Sequence, residues 1–242
     1  MPHGVLADYY GSAEERRSFV DRLFNEGAPH YERINRWMSL GTGELYRKDA
    51  LRRAGLGPGM RVLDVATGTG VLARAALAVV GPSGQVLGLD PSAGMLHQAQ
   101  GIAGLRRLRG FAESLPVAEG SVDFLSMGYA LRHVADLLDT FREYHRALRP
   151  GGRLLLLELV PPPGRLSRAL IRFYLKRLVP WLTCLGARRK GARTMMEYFW
   201  DTIDACVPAE TILRSLEEAG FQDVQRTVMG GILAEYQAQR PG

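Results

Sequence analysis

The chain has 242 residues, 46% of them hydrophobic, and a formal net charge of +6. This length favours one domain with apolar content ample for a core, and two cysteines, Cys184 and Cys206, make neither a disulfide framework nor a metal spacing. No uninterrupted apolar run reaches membrane-spanning length, and Met1-Pro-His-Gly does not read as a signal peptide, so a cytoplasmic protein with reduced thiols is expected.

Residues 1–26 are polar and mixed in charge, and a helix is predicted from Ser12 to Asn25. The stretch Phe24 to Ser39 is punctuated by Pro29, after which Tyr31, Ile34, Trp37 and Met38 form an apolar stripe at helical spacing. That helix either packs over a sheet or covers a cofactor with Tyr31 near the reacting centre, and both readings stand. Residues 1–50 are accordingly a candidate helical lid, and 51–242 a candidate core. Gly55 to Gly59 form a turn into the first strand.

Val62 to Val65 is a short apolar run, long enough for one buried strand. Small residues Ala66, Gly68 and Gly70 follow, and a helical pattern starts at Val71. A strand, a tight glycine turn and a helix bring backbone N–H groups close to a ligand. The next strand, Gln85 to Asp90, ends on an acid about 20 residues beyond the glycines, where a carboxylate can accept both hydroxyls of a ribose. Dinucleotide enzymes share this arrangement, but their third glycine is replaced here by Ala73. A structural glycine turn in some other α/β protein is the plainer alternative. Asp64, inside the first strand, belongs to neither pattern.

After Asp90, Ser92 can cap a helix whose inner side carries Met95 and Leu96. A basic third strand, Arg106 to Gly110, leads into Phe111-Ala-Glu-Ser-Leu-Pro116 at the carboxyl edge, where open α/β sheets bind ligands. The fourth strand, Ser121 to Met127, runs into Gly128-Tyr-Ala-Leu-Arg-His133 at the same edge. Leu137, Leu138, Phe141, Tyr144 and Leu148 recur at helical spacing until the stop at Arg149-Pro-Gly-Gly152. The fifth strand, Arg153 to Val160, is almost wholly aliphatic, as a strand buried on both faces should be. Five strands alternating with helices predict a parallel sheet with right-handed crossovers.

Pro161-Pro-Pro-Gly164 marks a break and opens a basic helical insertion at about 161–200. From Leu159 to Met196 there is no acidic residue and there are nine Lys or Arg. Arg165, Arg168, Arg172 and Lys176 fall on one helical face; Leu166, Leu170, Phe173 and Tyr174 fall on another. Such a helix is either a solvated surface or an interfacial one whose arginines meet phosphates, so membrane contact through 165–190 is weighed against plain solvation. Pro208 to Ala219 reads as a helix. Val224 to Val228 and Ile232 to Tyr236 read as a hairpin joined by Met229-Gly-Gly231.

The pattern resembles the ubiquinone and menaquinone biosynthesis C-methyltransferases. The likeness rests on Tyr31, Asn35 and Met38-Ser39, on Asp64-Val-Ala-Thr-Gly-Thr-Gly70, and on Asp90 with Met95-Leu96. Ala112-Glu113-Ser-Leu-Pro116, Tyr129-Ala-Leu-Arg-His-Val134, Leu148 to Leu154 and Glu158 complete it. It implies a class I methyltransferase fold: α/β, doubly wound and Rossmann-like, a mostly parallel seven-stranded sheet with an antiparallel C-terminal hairpin. It implies S-adenosyl-L-methionine as methyl donor and a lipophilic acceptor such as a prenylated quinol; no nucleic acid partner is expected. By position, Asp64 and Ala66 would face the methionine end, with Gly68, Thr69, Gly70 and Gly128 beside it. Asp90 would bind the ribose, and Met95, Ala112 and Glu113 the adenine. Arg132, His133 and Tyr31 occupy positions associated with the reacting centre. Phe111, Gly128, His133 and Glu235-Tyr236 depart from the family pattern.

A phenol is a good carbon nucleophile only as phenolate, and its pKa is about 10. His133 is the natural base by pKa, with a hydrogen bonder at a helix start as the plainer alternative, and Arg132 can stabilise the phenolate. N- or O-methylation of a phospholipid amine or a secondary metabolite stays open, as does a basic binding protein on an inherited fold. The oligomeric state is open too, a homodimer included.

Overall fold

The computed structural model describes residues 2–4, 6–38, 41–183 and 189–242. The expectations for Ser39, Cys184 and residues 185–188 of the basic segment lie outside these residues, as does that for the side chain of Met38.

Seven strands form one sheet: β1 (Arg61–Val65), β2 (Gln85–Asp90), β3 (Leu105–Arg109), β4 (Val122–Gly128), β5 (Leu148–Leu159), β6 (Gln222–Met229) and β7 (Leu233–Gln239). Their order is β3-β2-β1-β4-β5-β7-β6. The first five run parallel and β7 is antiparallel to both β5 and β6, as the alternating pattern and the late hairpin predict. The order reverses between β1 and β4, so their carboxyl ends part and leave a crevice at the switch point. β5 begins before the predicted Arg153. A bulge after Val122 lets Leu148 pair while the Pro-Gly-Gly stretch passes.

Helices cover both faces. On one, α2 (Gly43–Arg53) and α3 (Val71–Val80) bury Ala50, Leu51, Leu72, Ala76 and Val80 against β1, β2 and β4. On the other, α5 (Leu137–Ala147) and α9 (Ala209–Glu218) bury Phe141, Tyr144, Ile212 and Leu216. Asp136 caps α5 by accepting the amide N–H groups of Leu138 and Asp139. Ser92 Oγ caps α4 (Ala93–Gln98) by accepting from Met95 N at 3.1 Å.

A third apolar cluster sits above the carboxyl edge. It joins Ile34 of α1 (Ala13–Met38), Leu175 and Val179, and Met195, Met196, Phe199, Trp200 and Ile203 of α8 (Arg189–Asp204). The helix α1 corrects the prediction of two pieces, because it runs unbroken through Pro29. An interior proline costs about 3 kcal/mol, and tertiary packing offsets it. Asn25 Oδ1 accepts from Ser92 Oγ and Gly94 N, both at 2.8 Å. Gly27 lies so close to Met195 that a Cβ there would overlap its methyl. Between Pro163 and α8 run α6 (Arg165–Phe173), a π-helical turn (Tyr174–Leu178) and α7 (Val179–Thr183).

Candidate active site

The site starts from three left-handed backbone positions after β1: Ala66 (φ 53°), Gly68 (φ 58°) and Gly70 (φ 80°). Gly70 is required twice over. Its φ disfavours a side chain, and a Cβ would lie 2.4 Å from Ile102 Cδ1. A side chain on Gly68 would instead meet no atom within 4 Å, so the mouth beside it is open. At the end of β4, Tyr129 also sits at positive φ, 61°. Bulky residues held there cluster at functional sites, and both Ala66 and Tyr129 line the same cavity.

That cavity, about 370 Å³, lies between the crevice and the third apolar cluster. Its floor is Asp64, Ala66, Thr67, Gly68, Thr69, Gly128 and Tyr129; its roof includes Tyr31, Ile34, Arg47, Ile171, Tyr174, Met195, Phe199 and Trp200. Asp64 is buried and accepts hydroxyls from Thr67 and Ser126, each at 2.6 Å. Burial outweighs these donors and pushes its carboxyl up to about 6. Thr69 Oγ1 is buried with no hydrogen-bond partner among the described residues. Burial also raises the phenols of Tyr31 and Tyr129, the latter to about 12, so both remain O–H donors at neutral pH.

The structure thus brings together Tyr31, Asp64, Ala66, Gly68, Thr69 and Gly128. The other predicted residues lie outside the cavity lining. Asp90 departs from the expectation of a carboxylate open to the edge. Its oxygens accept from Gly68 N and Ser92 N at 2.8 Å, and α1 covers it through Asn25. Burial pushes its carboxyl up to about 6. Met95 is buried, Ala112 packs on the core beneath, and Glu113 accepts from Ala135 N. Arg17 lays its guanidinium 4.0 Å above the Phe111 ring, so α1 covers this edge as well.

Arg132 and His133 are also corrected in position. Glu158, on β5, draws the Arg132 guanidinium into an ion pair at 2.6 Å, and Thr202 Oγ1 accepts its Nε–H at 3.1 Å. The guanidinium stacks behind Phe199, 4.1 Å from its centroid, with Phe199 between it and the cavity. His133 is enclosed by Phe24 and Tyr198. Burial beside Arg132, His3 and Arg16 holds its pKa well below the ordinary value. It is neutral there and does not face the cavity.

Sequence reasoning missed Arg47, Tyr46 and the α8 wall. A signal existed for Arg47 and for the wall. Arg47 stands three and four residues before Ala50 and Leu51, in the buried stripe of α2. Met195, Met196, Phe199, Trp200 and Ile203 keep helical spacing. Of the predicted apolar stripe on α6, Leu166, Leu170 and Phe173 are exposed, and it is Ile171 and Tyr174 that turn to the cavity.

A methyltransferase structure from Aquifex aeolicus, described as S-adenosylmethionine-dependent, superposes with a TM-score of 0.61 at 20% identity, covering 86% of this chain and 97% of that one. The fold is that of the class I S-adenosylmethionine-dependent methyltransferases. The chain belongs to the ubiE/COQ5 methyltransferase family, whose family model matches residues 11–240. Demethylmenaquinone methyltransferase of Geobacillus kaustophilus is 33% identical over 88% of this chain and 92% of its own length. A ubiquinone/menaquinone biosynthesis C-methyltransferase of Legionella pneumophila is 31% identical over 91% and 90%. The protein is therefore an enzyme that takes its methyl group from S-adenosylmethionine.

Proposed function

We propose that this enzyme methylates a ring carbon of a prenylated quinol, the acceptor class carried in the names of its relatives. The observation that carries the reading is the cavity's two-sided chemistry. A carboxylate, an unpartnered hydroxyl and an unobstructed glycine lie on its floor, and an aromatic and aliphatic wall faces them. These floor groups suit the donor: Asp64 would take its ammonium, with Ala66, Gly68, Thr69 and Gly128 around it. When bound, S-adenosylmethionine supplies an electrophilic methyl on sulfur. The chain's own contribution is to hold the acceptor ring at near-attack distance and to exclude water with the α8 wall. Tyr31 and Tyr129, kept protonated, would donate hydrogen bonds to the acceptor oxygen and stabilise its charge. Arg132, stacked on Phe199, and His133, enclosed by Phe24 and Tyr198, would act as positioning groups. Residues 1–50 would serve as the lid, with Asp90, Met95, Ala112 and Glu113 receiving the nucleoside once α1 moves aside.

Labelled S-adenosylmethionine and a prenylated naphthoquinol should yield a ring-methylated product. Label transfer only to an amine or a hydroxyl oxygen would replace this reading with N- or O-methylation.

A cytoplasmic enzyme with a membrane-soluble acceptor needs contact with lipid, and α6 is the surface suited to it. Leu166, Leu170, Phe173 and Trp181 are exposed. Arg168 and Lys176 pair with Asp204 and Asp201. Arg165, Arg172 and Arg177 have no acidic partner among the described residues, and they line a groove with Trp200, which also lines the cavity. No helix among the described residues is long and apolar enough to cross a membrane. Sedimentation with vesicles containing phosphatidylglycerol, and not with pure phosphatidylcholine, is the expected result.

A further inference from the structure

The cavity holds two charged side chains that do not compensate each other. Arg47 is 5% exposed and lines the roof. Its hydrogen bond among the described residues goes to a neutral amide, Asn35 Oδ1, at 2.9 Å, and its guanidinium lies 5.6 Å from the Tyr129 ring centroid. It forms no ion pair among the described residues, whereas Arg132 has Glu158 and Arg53 has Glu235. A guanidinium stays charged in proteins, and a buried charge without a counter-charge is costly. Asp64 mirrors it from the floor, a buried carboxylate held by two neutral hydroxyls and the Ala73 backbone, with no cation paired to it among the described residues. One cavity therefore presents an unmatched cation and an unmatched anion from opposite walls.

We propose that Arg47 anchors the carboxylate of the donor's amino-acid end, so that Arg47 and Asp64 together clamp a zwitterion. The inference rests on the methyltransferase reading and adds to it a residue that motif analysis does not reach. The fork of a guanidinium matches a carboxylate with two parallel N–H bonds. Asn35 holds one arm of that fork in place. The clamp would fix the rotation of the amino-acid chain and, through it, the direction in which the sulfur presents its methyl.

The competing source of an oxyanion is the acceptor's phenolate, and binding measurements separate the two. Calorimetry compares S-adenosylhomocysteine with its decarboxylated analogue, which keeps the nucleoside and the ammonium. The wild-type enzyme should prefer the carboxylate-bearing ligand by roughly 10- to 100-fold. Arg47→Met should bring that ratio close to one while leaving affinity for the decarboxylated analogue unchanged, and Arg47→Lys should retain part of it. A wild-type ratio near one overturns the proposal without any variant. So does a folded Arg47→Met that keeps the full ratio. If that variant's kcat also shifts to higher pH, the guanidinium serves the phenolate instead. Failure of the wild-type enzyme to bind either ligand would instead refute the donor reading on which the proposal rests.

Discussion

The floor and the roof of the cavity are built differently. Most of the floor is local: Asp64 is held by Thr67 three residues on as well as by Ser126 of β4, and Ala66, Gly68 and Gly70 set the loop through their own backbone angles. The roof is assembled from α1, α2, α6 and α8, elements spread over more than a hundred residues, of which one apolar cluster joins α1, α6 and α8. A local floor keeps its geometry whatever lies above it. A composite roof can shift as a body, and α1 is held over Asp90 largely by Asn25. The floor is therefore the fixed half of the cavity, and the roof the adjustable one.

Four measurements would break or sharpen this contrast. The largest effect is expected where floor and roof are tied together, through Glu158, Arg132 and Thr202. Arg132→Met strands a buried carboxylate and should cost about 3–5 kcal/mol in denaturant unfolding. Adding Glu158→Gln should restore much of that loss. An Arg132→Met protein of undiminished stability but no turnover would show that the guanidinium works on substrate instead.

Next, Gly70→Ala forces a side chain into left-handed backbone and against Ile102, at about 1–3 kcal/mol. Unchanged melting would mean that the loop is not the rigid half.

The pH response separates binding from folding. Asp64 and Asp90 have folded pKa values of about 6 against an ordinary 3.8. The fold therefore favours their protonated forms. Their contribution to stability is fully present below pH 3.8 and is lost as pH rises through 6. Affinity for a cationic ligand runs the other way, because it needs the carboxylate of Asp64. Calorimetry with S-adenosylhomocysteine should show affinity falling about tenfold per unit below pH 6. These two groups should not lower the melting temperature over the same range. Flat affinity between pH 5 and 7.5 would remove Asp64 from the ammonium subsite.

The smallest effect belongs to the outer face of the roof. Arg172→Ala should weaken binding to phosphatidylglycerol vesicles by about fivefold, near 1 kcal/mol per arginine at an anionic surface. Turnover of a detergent-dispersed acceptor should be unaffected. Loss of that turnover instead would place Arg172 in service of the cavity.

Much was legible in the chain itself. The sheet was, because strand periodicity, glycine turns and Pro-Gly stops are short-range signals, and the five parallel strands and the hairpin fall where those signals predict. The floor was legible for the same reason: Asp64, Gly68, Thr69 and Gly128 lie within a few residues of a strand end and meet at the switch point. Arg132 and His133 were found as residues but misplaced as groups. The sequence shows that they share the edge with Glu158, but not that the carboxylate turns the guanidinium inward.

The sequence by itself determined which backbone could turn sharply, which strands would be buried, and that a carboxylate would stand at the mouth of the first strand. These follow from φ, from apolar periodicity and from spacing along a few residues. Only the tertiary structure decided which charges would find partners. Arg132 met Glu158 and was neutralised, Asp90 met two backbone amides under α1, and Arg47 met an amide with no acid beside it. Charge compensation depends on distances across the fold. A pattern along the chain cannot encode them.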